Sequence, residues 1–291
     1  MRILILGASG LVGGNCLKHF SAIPGMTVVG TYFSFPVEGT VFYDTLNPNH
    51  PDQFDAESFN PDVVISCGAL THVDYCESNP DESFSKTVLS NRTALQLAQK
   101  CGAVFVYIST DYVFDGQNGP YRETDPVHPI SVYASHKLQA EQESMEYSDS
   151  LILRITNVYG DEIRGKNFVS RIIDQAKAGQ KLTLKLPYDQ YATPVNAYDI
   201  ARALELLLRD GKRGIYHIAG TDFLNRVELA LKVLTYFPAA EYELIPMDTP
   251  SLAQPAARPL MGGLITAKFS SEYPDFLFES VDRYVQRKLS E

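Results

Sequence analysis

The stretch Arg2-Ile3-Leu4-Ile5-Leu6-Gly7-Ala8-Ser9-Gly10-Leu11-Val12-Gly13 decides how the rest of the chain is read. An apolar run runs straight into three glycines spaced by three, and a helical pattern containing Leu17 and Phe20 follows. Strand, glycine turn and helix in that order are what a dinucleotide-binding βαβ unit needs. Gly7 permits the tight turn, Gly10 lets backbone approach a pyrophosphate, and Gly13 allows close packing of helix on strand.

Downstream, apolar strands alternate with helical patterns. Thr27–Tyr32 ends in Thr31-Tyr32-Phe33-Ser34, without the acidic residue that would bind a free ribose 2′-hydroxyl. No Arg or Lys stands between Gly39 and Ser85 to hold a 2′-phosphate, so NADH and NADPH both stay open. Asp44, after Val41-Phe42-Tyr43, is placed to reach an adenine edge or to cap a turn. Val63–Cys67 opens into Gly68-Ala69-Leu70, small residues at a strand end where a ribose and phosphate would lie close to backbone. A helix is expected over Thr87–Lys100, with strands over Ala103–Ile108 and Leu151–Ile155. This alternation predicts an α/β fold built on a doubly wound parallel Rossmann sheet. After Gly160 the alternation breaks. Residues 1–158 are therefore assigned to the Rossmann domain, with a return around 193–220, and 159–291 mainly to a smaller C-terminal α/β substrate lobe. Helices are expected there at Phe168–Ala178, Asn196–Arg209 and Leu224–Phe237.

The chemistry concentrates in two places. Ser109-Thr110-Asp111-Tyr112-Val113-Phe114-Asp115-Gly116 follows a strand and is expected to turn into a loop at the carboxyl edge of the sheet. Tyr133-Ala134-Ser135-His136-Lys137 opens a helix, on which Tyr133 and Lys137 share a face. An ammonium beside the phenol is expected to favour phenolate, lowering a pKa of about 10 toward neutrality. A tyrosine tuned in this way would exchange a proton with a carbonyl oxygen. The bland alternative is a half-buried Tyr with a solvated Lys.

Composition narrows the partners. The 291 residues carry 45% hydrophobic side chains and a net charge of −10, which disfavours nucleic acid and anionic membranes and points to a small-molecule partner. No apolar run is long enough to cross a bilayer, and the chain reads as cytoplasmic. Cys16, Cys67, Cys76 and Cys101 lack metal-ligand spacing and read as reduced thiols, so no metal site is expected. A homodimer is compatible with the sequence, which carries no signature for or against one.

These motifs resemble the extended short-chain dehydrogenase/reductases, and within them the dTDP-4-dehydrorhamnose reductase family. The likeness rests on Gly7 to Gly13, Ser109 to Gly116, Tyr133 to Lys137, Asn167-Phe168, Asp189-Gln190-Tyr191, Thr193-Pro194 and Arg258-Pro259. It implies reduction of a 4-keto nucleotide-sugar by NADPH or NADH. Tyr133 would be the proton donor and a cofactor contact, Lys137 its tuner and a ribose ligand, and Thr110 the hydroxyl that polarises the carbonyl. It further implies Gly10, Leu11 and Val12 at the pyrophosphate, Asp44 and Thr45 at the adenosine, Gly68, Ala69 and Leu70 on the ribose side, and Thr110, Asp111 and Asn157 toward the sugar. Arg258 would clamp the substrate pyrophosphate or serve as a salt-bridge residue. Family members often carry Trp where Asn157 stands, and this chain has no Trp. Two other readings share these residues: an epimerase or dehydratase that retains NAD, and a non-catalytic NADP-binding subunit. Asp111 to Gly116 and Pro120 to Glu123 resemble the regulatory β subunits of methionine adenosyltransferase, which are of the latter kind.

Overall fold

From Ile3 to Leu6 the first strand is apolar because it has helices on both sides. Ile3, Leu4 and Ile5 are sealed from solvent, with Ile3 and Ile5 in one core cluster and Leu4 in another. This is the signature of a central parallel strand rather than of an alternating surface one. The computed structural model describes all 291 residues. Its central sheet contains β1 (Arg2–Leu6), β2 (Thr27–Tyr32), β3 (Thr40–Phe42), β4 (Val63–Ser66), β5 (Val104–Thr110) and β6 (Ser150–Ile155). Two short strands, β7 (Leu182–Pro187) and β8 (Tyr191–Ala192), stand outside it before β9 (Gly214–Ile218) returns to its edge. The seven strands run in the order β3-β2-β1-β4-β5-β6-β9, and every pair is parallel. This is the expected α/β doubly wound sheet. Its strand order reverses between β1 and β4, so the crevice at their carboxyl ends is the topological switch point.

A second core, built around Tyr159, Ile172, Leu182, Val233 and Tyr284, gathers the C-terminal elements. There β7 pairs in parallel with β11 (Tyr242–Met247), and β8 pairs antiparallel with β10 (Leu224–Asn225). The helix Phe168–Lys177 begins at an Asn167 cap, and the helix Ala197–Arg209 at an Asn196 cap. The helix expected from Leu224 starts two residues later, at Arg226, because Leu224 and Asn225 first pair with β8. Asn225 then closes a capping box with Glu228. A C-terminal helix, Val281–Ser290, packs Tyr284 and Val285 into the same core. No helix is long and apolar enough to cross a membrane. All four cysteines are free, Cys16 and Cys76 buried and the other two half-buried.

Close packing at the glycine turn is severe. Gly7 has φ +83°, and a side chain added at Gly13 would place its Cβ 2.4 Å from the Gly7 carbonyl oxygen and 2.9 Å from Ala8 Cα. Backbone cannot swing aside as a flexible side chain can. Alanine within a helix is ordinarily better than glycine by about 1 kcal/mol; here the collision outweighs that gain. Gly13→Ala is expected to lower unfolding free energy by about 1–3 kcal/mol in urea titrations. A stabilised variant would contradict this packing.

Candidate functional site

At the switch point the turns after β1 and β4 touch: a Cβ on Gly7 would lie 3.0 Å from the Gly68 amide nitrogen. The helix Leu11–Ser21 starts at Gly10 with no side-chain cap, and its first closed turn is the Gly14 N–H bond to the Gly10 carbonyl. The amides of Leu11, Val12 and Gly13 precede that bond, so they remain available to an anion lying over the turn. Asp44 makes the turn-capping contact instead of standing free, its carboxylate accepting from Leu46 N–H at 2.8 Å. Thr45 shares a 2.6 Å hydrogen bond with Ser90. Ala69 and Leu70 stand half-buried beside Gly68 at the end of β4.

β5 runs two residues further than its apolar pattern suggests. Ser109 and Thr110 are its last residues, paired with Arg154 and Ile155 of β6, and a short 3-10 turn over Asp111–Val113 follows. Both hydroxyls are buried. Thr110 Oγ1 accepts from Tyr112 N–H at 3.2 Å. Asp111 braces the surrounding loops: Thr156 donates to its carboxylate at 2.6 Å and the Gly263 amide at 3.2 Å. Burial pushes its carboxyl up, and these donors pull it partly back.

The helix Val132–Met145, capped by Ser131, carries Tyr133 and Lys137 inward. Tyr133 is 9% exposed and Tyr112 meets it edge-on at 5.8 Å. The expectation of an acidified phenol is overturned. Burial pushes the Tyr133 phenol well above its ordinary value, and the Thr110 hydroxyl beside it is what pulls it back. The Lys137 ammonium is bonded elsewhere. It donates instead to the Ile108 carbonyl at 2.6 Å and sits 4.1 Å from the centre of the Tyr107 ring. Burial drives this ammonium down to about 7, against the pull of Glu141 and Cys67. Two side chains sharing a helix face both enter the interior here, and desolvation of each charged form exceeds any attraction between them.

Beneath them, Arg154 of β6 grips Glu141 of the same helix at 2.5 Å, with both side chains under 5% exposed. Ser109 donates to that carboxylate at 2.6 Å.

A small cleft of about 20 Å³ adjoins the Tyr112–Tyr133 pair, and its walls include Asp111, Tyr112, Asn157, Tyr191 and Arg226. Asn157, at φ +37°, accepts a 2.7 Å hydrogen bond from the Arg226 guanidinium. Arg258 does not line it; its guanidinium is taken by Asp74 at 2.8 Å.

This arrangement has relatives. Residues 1–284 match the family described as the RmlD substrate binding domain. The chain belongs to this family. It is 30% identical to a dTDP-4-dehydrorhamnose reductase of Burkholderia thailandensis, over 96% of each chain. It is also 30% identical to methionine adenosyltransferase 2 subunit beta of Xenopus laevis, over 87% of this chain and 78% of that one. Among solved structures, a dTDP-4-dehydrorhamnose reductase of Clostridium acetobutylicum superposes with a TM-score of 0.83 at 28% identity, covering 99% of this chain and 100% of that one. A Bacillus anthracis dTDP-4-dehydrorhamnose reductase in complex with NADP gives 0.79 at 25% identity, covering 99% and 98%.

Within this family member, the structure brings Thr110, Asp111, Tyr133 and Lys137 together at the end of β5, and Gly7, Gly10, Gly13 and Gly68 at the switch point. Arg226 escaped the sequence reading. No motif marks it; only the β8–β10 pairing, Tyr191 against Asn225, carries it to the cleft.

Two outcomes follow. Glu141→Gln or Arg154→Met leaves its partner charged, buried and unpaired, and is expected to cost about 3–5 kcal/mol by chemical denaturation. Lys137 has a folded pKa depressed to about 7, against about 10.4 unfolded. Its contribution to stability is thus complete above the unfolded value and is lost as pH falls through the folded one. Lys137→Met should flatten the rise in unfolding free energy between about pH 7 and 10. An unchanged slope would contradict the burial of that ammonium.

Proposed function

We propose that the protein is an NADPH- or NADH-dependent reductase of a 4-keto nucleotide-sugar, of the dTDP-4-dehydrorhamnose type, with Tyr133 as proton donor. One observation carries this reading: a buried phenol kept protonated by its surroundings stands with the Thr110 hydroxyl one strand over from the switch-point crevice. The phenol is protonated and stands beside the Thr110 hydroxyl, so it holds the proton that an alkoxide, a stronger base, would take.

The switch-point turn fits a dinucleotide, since Gly7 and Gly13 leave no room for side chains and three amides stand free above them. Gly7, Gly10, Leu11, Val12 and Gly13 would cradle the pyrophosphate. Asp44 and Thr45 would lie on the adenosine side, and Gly68, Ala69 and Leu70 on the ribose side. When bound, the nicotinamide supplies a hydride. Thr110 holds the substrate carbonyl oxygen, and Tyr133 gives its proton to that oxygen as the C4 alkoxide develops. Hydrogen bonds that strengthen as this charge forms lower the barrier rather than only tightening binding. Lys137, anchored on Ile108, keeps at least one further N–H donor for the ribose. Asp111 and Asn157 shape the sugar wall. Arg258 does not serve as the substrate clamp in this reading, because Asp74 neutralises it. Free thiols suit a cytoplasmic protein.

The Xenopus relative favours a second reading, a non-catalytic cofactor-binding subunit, which predicts NADPH binding without consumption. NADPH absorbance assays with dTDP-4-dehydro-6-deoxy-sugar separate the two. Under the reductase reading Tyr133→Phe lowers kcat by about 10²–10⁴ and Thr110→Val by about 10²–10³, with NADPH affinity unchanged. Full turnover by Tyr133→Phe would remove the proposed donor.

A further inference from the structure

The cleft beside Tyr112 holds a cation that no carboxylate pairs with directly. Arg226 opens the helix Arg226–Leu234, and its guanidinium forms no ion pair with any carboxylate in the chain. It donates a hydrogen bond to the neutral Asn157 side chain, and its planar head lies 5.2 Å over the Phe168 ring. Burial weighs against its charge, with the Tyr112 phenol and the Asp111 carboxylate acting the other way. Asp111, however, is already committed to Thr156 and Gly263. A guanidinium offers five N–H donors in a fixed fork, so most of this one's hydrogen-bonding capacity is unspent within the fold. The other arginine acting on Tyr112, Arg258, is neutralised by Asp74.

A half-buried, uncompensated guanidinium is costly to the free protein, and the cost is relieved when an oxyanion enters the fork. We propose that Arg226, steadied by Asn157 and Phe168, is the specificity residue that binds the diphosphate oxygens of the nucleotide-sugar. The ligand class rests on the reductase reading above. The cleft adjoins the ring that meets Tyr133, so an anion seated there belongs to the molecule whose carbonyl reaches Thr110 and Tyr133. Asn157 contributes by position: held at φ +37°, it presents its side-chain oxygen to the guanidinium and fixes the direction of the fork.

The test is titration of the full chain, saturated with NADPH, with dTDP, with thymidine, and with D-glucuronate as a carboxylate probe. Arg226→Gln should weaken dTDP binding about 10- to 100-fold and leave thymidine binding unchanged. Arg226→Lys, which keeps the charge but not the fork, should lose less. Neither substitution introduces a helix breaker, and unchanged thermal melting confirms that the variants are folded. In turnover, Arg226→Gln should raise KM with kcat within about twofold, as expected for a contact made equally in ground and transition states. A loss confined to glucuronate overturns the diphosphate assignment in favour of a sugar carboxylate. Equal affinities for dTDP in wild type and Arg226→Gln overturn the site altogether. Absence of turnover with Arg226-dependent dTDP binding intact sinks the reductase reading and leaves this site standing.

Discussion

Inside the protein the carboxylate of Glu141 meets the guanidinium of Arg154, and the elements that carry the site depend on that meeting. Glu141 belongs to the helix that bears Tyr133 and Lys137, Arg154 to β6, and Ser109, which donates to the same carboxylate, to β5. Lys137 ties the helix to β5 a second time through the Ile108 carbonyl. On the far side, Arg154 reaches His217 of β9 at 3.4 Å and lies 5.2 Å from the centre of the Phe114 ring. A buried pair is weak evidence for net stability, because both ions must leave water. Its geometry is nonetheless demanding: a displaced helix would strand two charges, so the pair penalises any arrangement in which Tyr133 is out of place.

Desolvation sets the electrostatics around this pair. It raises the Asp111 carboxyl and the Tyr133 phenol, lowers Lys137 to about 7, and takes His217 down to about 3 with Arg154 pushing the same way. Each group is steered toward its neutral form, and the Glu141–Arg154 pair stands out as a full charge pair held deep in the interior. In such surroundings a charge that develops on a substrate oxygen interacts with Thr110 and Tyr133 more strongly than it would in water.

The two arginines near Tyr112 show how tertiary context assigns roles to identical side chains. Arg258 lies in the segment that packs against the Gly116 loop, where a Cβ on Gly116 would fall 2.4 Å from Pro259 Cα. In that place it meets Asp74, which spends its charge within the protein. Arg226 arrives on a different helix, with a neutral amide for a partner and a cleft before it.

The amino-acid order alone determined the βαβ start, the parallel doubly wound sheet and the gathering of Thr110, Tyr133 and Lys137, because these follow from local pattern and from rules that place strand ends at one edge. It also indicated helices from Phe168 and from Asn196, which the structure starts on side-chain caps from Asn167 and Asn196. What it left undecided was everything governed by burial and by long-range pairing. The i,i+4 spacing of Tyr133 and Lys137 suggests two neighbours in water; only the packed core shows that neither is in water, and that the ammonium turns to a backbone carbonyl 29 residues away. Arg226 stands 69 residues from Asn157 in the chain and reaches it only because β10 registers against β8. Distances of that kind are set by which surfaces exclude water together, and no local stretch of sequence encodes them.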